Sequence, residues 1–175
     1  MYTAVLVTHS LLRYVVLALG LAALGRALSG VAGTKTWSKA DTRWGRFFVI
    51  SLDVQLLFGL GLYFGLSPLI SPALADPRAA GRLLRFWAFE HPAMMLLAVV
   101  AAHVGLVLAR KAASDARKFR ATAICFLLAL VLIVAAIPWP STRAARPLWP
   151  ATLGAPQATG SAPMPAGSVG KADLR

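Results

Sequence analysis

The chain is poor in cysteine and in acidic residues, and these shortages exclude several classes of protein. Its 175 residues include one cysteine, Cys125, so neither a disulfide framework nor a cysteine-based metal site can form within one chain. The sequence also lacks a glycine-rich nucleotide loop, an HExxH zinc motif and a nucleophile elbow. The sequence therefore contains no motif for hydrolase or kinase chemistry of the soluble type.

Long apolar segments are what the sequence does contain. Hydrophobic residues make up 58% of the chain and the mean hydropathy is +0.70, outside the range of ordinary soluble domains. Four segments are long enough to span about 30 Å of hydrocarbon as helices; they are residues 2–28, 47–69, 83–109 and 121–138. Because the connections are short, neighbouring helices must run antiparallel. The sequence thus predicts an all-α integral membrane protein, an up-down-up-down four-helix bundle over residues 1–140.

The positions of the charges predict the orientation of this bundle. Eighteen basic residues stand against six acidic ones, a formal net charge of +12. The first and third connections, residues 26–46 and 110–120, each hold five basic side chains and one aspartate, whereas the second is much less basic. By the positive-inside rule both rich connections are cytoplasmic and both termini lie outside. The net positive charge then reflects the orientation of the protein in a lipid bilayer, and we expect no binding of nucleic acid.

The two ends of the chain carry further predictions. The first segment lacks the basic leader and the cleavage site of a signal peptide, so we expect it to be retained. Trp139 and Trp149 are placed to anchor at the membrane interface. Residues 141–175 are rich in Pro, Gly and Ala and have almost no large apolar group. They cannot bury enough surface to fold alone, which predicts a flexible external tail.

Ionisable residues interrupt two of the apolar segments. His9 and Arg13 lie in the first, and Glu90 and His91 lie in the third. A charged side chain at mid-bilayer costs roughly 2.5 to 3.5 kcal/mol even on the lenient insertion scale, so such groups usually face a partner, a cofactor or water. These residues are therefore the candidates for function.

His9 and His91 are predicted to lie at the same depth. At about 1.5 Å per helical residue, His9 is ~10 Å inward from Tyr2 and His91 is ~9 Å inward from Arg85. The first and third helices are diagonal in a simple four-helix ring, so the two imidazoles can face each other across its axis. Two opposed neutral imidazoles are the ligand set of a low-spin haem b.

The residues around this layer complete the candidate site. Gly59 on the second segment can give room to a macrocycle, and Arg13 can neutralise a propionate or pair with Glu90. Pro92 cannot donate to the carbonyl oxygen of Ala88, which predicts a kink beside His91. The candidate cofactor-binding residues are His9, Arg13, Gly59, Glu90 and His91, with His9 and His91 as the metal ligands.

Two alternatives to a haem site stay open. The same residues can form another functional polar site, or an Arg13–Glu90 ion pair can fix the helix register without any ligand. Asp53 and His103 form a second candidate pair on adjacent helices, each about 10 Å from a cytoplasmic boundary. They are predicted to form a structural hydrogen bond or a step of a proton relay.

Several motifs together resemble a known family. The segments HSLLRYVVL (His9–Leu17), LDVQLLFGLGLYF (Leu52–Phe64) and FEHPAMM (Phe89–Met95) precede a basic loop and a short fourth span that ends in IPWP. This part of the chain, about residues 1 to 140, resembles the small four-helix bacterial inner-membrane proteins labelled cytochrome-b-like. The resemblance implies a bacterial inner-membrane location and a haem role for His9 and His91.

The sequence therefore supports three hypotheses of different classes. The first is a membrane-embedded electron-transfer subunit that holds one b-type haem and exchanges electrons with quinol or with a membrane or periplasmic redox protein. The second is a non-catalytic assembly subunit of a larger membrane complex. The third is a small transporter or quinone-binding module.

Overall fold

The computed structural model describes residues 1–32 and 34–139, and within these ranges it contains helices and no strand. The helices are α1 (Tyr2–Leu28), α2 (Lys39–Gly61), α3 (Ile70–Ala75), α4 (Gly81–Arg85), α5 (His91–Lys111) and α6 (Asp115–Ala136). A π-helical turn, Leu62–Leu66, continues α2, and a second, Phe86–Glu90, joins α4 to α5. With these extensions α1, α2, α5 and α6 form four helices that are long and apolar enough to cross a membrane. The all-α prediction is confirmed for the part of the chain that the structure describes.

Two of the long helices begin earlier than hydropathy predicts. α2 begins at Lys39 rather than near residue 47, because the side chain of Ser38 and that of Asp41 cap its first turn reciprocally. α6 begins at Asp115 rather than near residue 121, and the side chain of Ser114 accepts a hydrogen bond from its first turn. Capping satisfies the free N–H groups of a helix start whether or not the residues are apolar. Capping therefore extends both helices beyond the apolar segments that hydropathy marks.

The packing of the four long helices sets which of them can share a site. α1 packs against α2 and α6, and α5 packs against α6 and α2. α1 and α5 are therefore diagonal to each other. The rings of Phe48 on α2 and Phe126 on α6 are fully buried, with centroids 5.1 Å apart, and Val16 and Leu130 are buried with them in the same core cluster.

Small residues bring the helices close together in this core. A Cβ atom added at Gly105 on α5 would lie 2.8 Å from the Cβ of Cys125 on α6. One added at Gly20 on α1 would lie 2.8 Å from a methyl carbon of Leu130 on α6. At Gly105 the two helices are too close for a side chain, whereas at Gly20 a side chain would require its neighbours to shift.

One end of the helices carries both basic connections, and we call it the basic end. Asp41 is buried there and accepts a hydrogen bond from Arg26 at 2.7 Å, with the ammonium of Lys35 3.6 Å away. The backbone N–H of Trp37 donates to a carboxylate oxygen of Asp115 at 3.0 Å. This last bond ties the connection before α2 to the start of α6.

The opposite end carries His9 and His91, and we call it the histidine end. Between α2 and α5 the chain forms the two short helices α3 and α4. Ile70 and Ala73 of α3 are buried with Ala88 in a small apolar cluster separate from the main core. The predicted tail, residues 141–175, and the predicted anchor Trp149 lie outside the described residues.

Candidate functional site

His9 on α1 and His91 on α5 meet across the interior of the histidine end. Their ring centroids are 6.4 Å apart and the ring planes are inclined by 71°. Both side chains are half-buried. The diagonal placement of α1 and α5 brings the two imidazoles together, as their spacing along the sequence predicts. Their role as metal ligands stays a prediction.

The imidazole of His91 is held in one tautomer by the end of α6. Its Nδ1 lies 3.0 Å from the carbonyl oxygen of Ala136. A carbonyl oxygen can only accept, so Nδ1 of the neutral ring carries the proton and Nε2 is left as the acceptor or ligand nitrogen. The rings of Trp87 and Phe86 lie beside it, with centroids 5.4 and 6.0 Å from that of His91.

Two residues of α2 position His9. The side-chain nitrogen of Gln55 donates to the carbonyl oxygen of His9 at 2.9 Å and also lies 3.4 Å from Nε2 of its ring. Gly59, one turn further along α2, faces the same ring, and a Cβ added there would lie 3.3 Å from Cε1 of His9. Gly59 thus lies where the sequence places it, whereas a Cβ at Gly61 would meet open space.

Gln55 is a site residue that the sequence did not single out. Its side-chain oxygen is buried and has no hydrogen-bond partner among the described residues. The signal for it was the i, i+4 spacing of Gln55 and Gly59, which places both on one face of α2. The spacing identifies Gln55 as a site residue only once the structure shows that this face of α2 lies against His9.

Arg13 and Glu90 do not form the ion pair considered from the sequence. The guanidinium of Arg13 donates to the hydroxyl of Tyr14 at 3.1 Å and lies 4.9 Å from the centre of that ring. Glu90 is exposed and forms no salt bridge with another described residue. Glu90 is the last residue of the π-helical turn that precedes α5.

The kink predicted beside Pro92 takes the form of this π-helical turn. The N–H of His91 bonds to the carbonyl oxygen of Phe86, five residues earlier, at the point where the ring of Pro92 prevents regular helix geometry. The carbonyl oxygen of Ala88, which Pro92 cannot satisfy, accepts a hydrogen bond from the hydroxyl of Tyr63 at 3.1 Å. Tyr63 lies in the other π-helical turn, so the two irregular turns are bonded to each other.

Asp53 and His103 form the second predicted pair. Nε2 of His103 lies 3.5 Å from a carboxylate oxygen of Asp53, and the side chains are 47% and 45% exposed. Nδ1 of His103 lies 2.9 Å from the carbonyl oxygen of Val99 and therefore carries a proton. Nε2 and the carboxylate oxygen then attract each other only if a further proton lies between them. The pair is geometrically suited to hold one exchangeable proton on the outer surface of α2 and α5.

No group of three or more His, Cys, Asp or Glu side chains that could hold a metal ion occurs within residues 1–32 and 34–139. No protein-family model, curated protein or solved structure matches this chain. The geometry of the chain itself is therefore the basis for assigning a function.

Proposed function

We propose that the protein is a membrane-embedded electron-transfer subunit that holds one haem b between α1 and α5 through His9 and His91. It exchanges electrons with quinol or with a redox protein on the periplasmic side. The observation that carries the proposal is the distance of 6.4 Å between the two imidazole centroids across the interior of the histidine end.

His9 and His91 would hold the haem iron. With about 2.0 Å from metal to nitrogen and about 1.1 Å from nitrogen to ring centre, two imidazoles that share one metal ion would have centroids about 6 Å apart. The bond from Nδ1 of His91 to the carbonyl oxygen of Ala136 is also typical of a ligating histidine, whose second nitrogen usually donates to an oxygen. The donor set and its spacing therefore fit the group.

The side chain of Gln55 must move when the haem binds. Its amide nitrogen lies 3.4 Å from Nε2 of His9, one of the two ring nitrogens that could take a metal. Binding requires this amide to turn away from the ring, and the absence of a side chain at Gly59 leaves His9 room to adjust with it. Gln55 then hydrogen-bonds the backbone of α1 alone, which keeps α1 and α2 in register.

The chain's own residues orient and shield the site. The haem supplies one-electron transfer when it is bound. Ala136 fixes the ring of His91, while Trp87 and Phe86 cover it and exclude water. Arg13, one helical turn from His9, brings a positive charge to the same end and favours the propionates. Glu90 is exposed beside His91 and adds a negative charge near the rim of the site.

The proposal includes a placement in the membrane. The four long helices form an up-down-up-down bundle in the bacterial inner membrane, with the basic end in the cytoplasm and both termini in the periplasm. The support is the length and apolarity of the helices and the location of both basic connections at one end. In intact cells an impermeant amine reagent should leave the exposed Lys39 and Lys111 unlabelled and should label Lys171. Labelling of Lys39 together with protection of Lys171 would show that the orientation is the reverse of the one proposed.

The decisive experiment is an absorption spectrum of the purified, dithionite-reduced protein. His9→Ala and His91→Ala should each abolish the b-type bands, whereas His103→Ala, a matched histidine on α5 outside the site, should keep them. Folding of each variant is checked by circular dichroism. A folded wild-type protein that shows no haem absorbance when expressed with excess haem overturns the proposal.

A quinone-binding and proton-handling module is the second candidate. The half-exposed Asp53–His103 pair favours it, because polar pairs at membrane depth usually face a ligand, water or a partner. Titration of the purified protein with a short-chain quinone should then quench tryptophan fluorescence. Loss of this quenching in His103→Gln with its retention in His9→Gln supports this candidate, and the reverse result excludes it.

A further inference from the structure

The basic side chains of the basic end fall into two groups. Arg26 and Lys35 lie against Asp41, and Lys118 pairs with Asp115 at 2.8 Å. A second group on α2, namely Lys39, Arg43 and Arg46, is exposed and forms no ion pair or side-chain hydrogen bond with a described residue. The charges of the first group stabilise the fold, whereas those of the second group do not.

These three cations line one groove along α2. They recur at i, i+4 and i+7, so they project from one face of the helix. The groove is an open surface depression of about 470 Å³, and it is also lined by Thr42, Phe47 and Ile50 of the same helix.

The groove is amphiphilic along its length. The cations lie at the start of α2, in the first two and a half turns. Phe47 and Ile50 follow towards the apolar part of the helix, and they are large apolar side chains exposed to 45% and 56%. A ligand that fills the groove therefore needs a negative group at the polar end and a hydrocarbon group at the other.

The three cations are poorly placed for stability alone. Lys39 is the first residue of α2, where the positive end of the helix dipole disfavours a cation. Lys39 and Arg43 are like charges at i, i+4, an arrangement that destabilises a helix. A bound anion removes both penalties, whereas the isolated chain retains them.

We propose that this groove binds an anionic phospholipid of the cytoplasmic leaflet. The headgroup phosphate accepts hydrogen bonds from Lys39, Arg43 and Arg46, and one acyl chain lies along Phe47 and Ile50. Phospholipid is the source that the lining favours, because free phosphate would leave the apolar half of the groove unused. The proposal rests on the membrane placement proposed above and is independent of haem binding.

The test is native mass spectrometry of the full-length protein in detergent, titrated with phosphatidylglycerol or with phosphatidylcholine of the same acyl chains. The triple variant Lys39→Gln/Arg43→Gln/Arg46→Gln should bind phosphatidylglycerol on the order of 100-fold more weakly. The matched control Arg110→Gln/Lys111→Gln/Arg117→Gln removes three exposed charges from the same end and should change the affinity less than threefold. All six side chains are exposed, so both variants should fold, and circular dichroism checks this.

Two further titrations complete the test. Glycerophosphoglycerol, which carries the headgroup phosphodiester without acyl chains, should bind the wild type at least tenfold more weakly than phosphatidylglycerol. Equal affinity for glycerophosphoglycerol overturns the proposal in favour of a simple anion site. Equal affinity for the two lipids, or an equal loss in both triple variants, also overturns it. The reduced absorbance spectrum of the groove variant should match that of the wild type, so failure of this proposal is distinct from failure of the haem proposal.

Discussion

The basic end and the histidine end use their polar groups in opposite ways. At the basic end Asp41 and Asp115 pair with basic side chains and also bond to the backbone ahead of α2. At the histidine end, Gln55, Tyr63 and His91 each bond instead to a backbone carbonyl oxygen of another helix or π-helical turn.

The basic end is therefore the more rigid of the two, and the histidine end can rearrange more easily. Charge pairs, helix caps and close helix approach at Gly105 fix the connections at the basic end. Bonds from neutral side chains to carbonyl oxygens are worth only about 1 kcal/mol each and can be exchanged at little cost. The widened π-helical turns, which occur often at functional sites, are both at the histidine end. We therefore expect substitution of the paired residues at the basic end to lower the free energy of unfolding, and substitutions at the histidine end mainly to change the site.

The largest effect is expected for Asp41→Ala. The change leaves the partly buried Arg26 without its partner and removes the capping box of α2, so it should lower the free energy of unfolding by about 3 kcal/mol. Denaturant titration in micelles followed by circular dichroism measures it. The control is Asp76→Ala at the opposite end: this exposed carboxylate forms no ion pair with a described residue and accepts only backbone N–H groups of Arg78 and Ala79, so its loss should cost about 1 kcal/mol. Equal losses in the two variants would show that the two ends contribute alike.

The next effect concerns helix approach at Gly105. Gly105→Ala places a Cβ 2.8 Å from the Cβ of Cys125, and because both atoms are close to their backbones the helices α5 and α6 must separate. We expect a loss of about 1 to 3 kcal/mol in the same unfolding experiment. Gly25→Ala is the control, since nothing lies within 4 Å of its added Cβ and alanine favours a helix by up to about 1 kcal/mol. A Gly105→Ala protein as stable as Gly25→Ala contradicts the close packing.

A double-mutant cycle tests the bond between the two π-helical turns. Tyr63→Phe leaves the buried carbonyl oxygen of Ala88 without a donor and should cost about 1 to 2 kcal/mol. In a Pro92→Ala background the new N–H of residue 92 can bond to that oxygen, so the cost of Tyr63→Phe should fall close to zero. Additive effects in the cycle would mean that Tyr63 does not compensate for Pro92.

The smallest effect on stability is expected at Gly59. In Gly59→Ala the new Cβ presses on Cε1 of His9 from 3.3 Å, while the gain in helix propensity offsets the crowding, so the free energy of unfolding should change by less than about 0.5 kcal/mol. The displaced ring should nevertheless lower the haem content of the purified protein severalfold. Gly61→Ala, two residues away with open space, should keep the wild-type content. Equal haem content in the two variants would remove Gly59 from the site.

Sequence reasoning succeeded where a feature depends on local pattern. Segment length and apolarity were enough to predict the four long helices, and residue depth was enough to place His9 opposite His91 and Asp53 beside His103. These features follow from the fixed rise of a helix and from short connections, both of which are local properties of a chain.

The remaining features depend on how the helices are rotated against one another, which no local pattern specifies. Gln55 and Tyr63 are ordinary polar residues in the sequence, and only the packing of α2 turns them towards His9 and Ala88. Arg13 lies on Tyr14 instead of pairing with Glu90, a choice of partner that the sequence positions of these residues do not specify. One extra residue in a turn rotates every side chain beyond it by about 100°, so contacts between helices are decided by the tertiary structure.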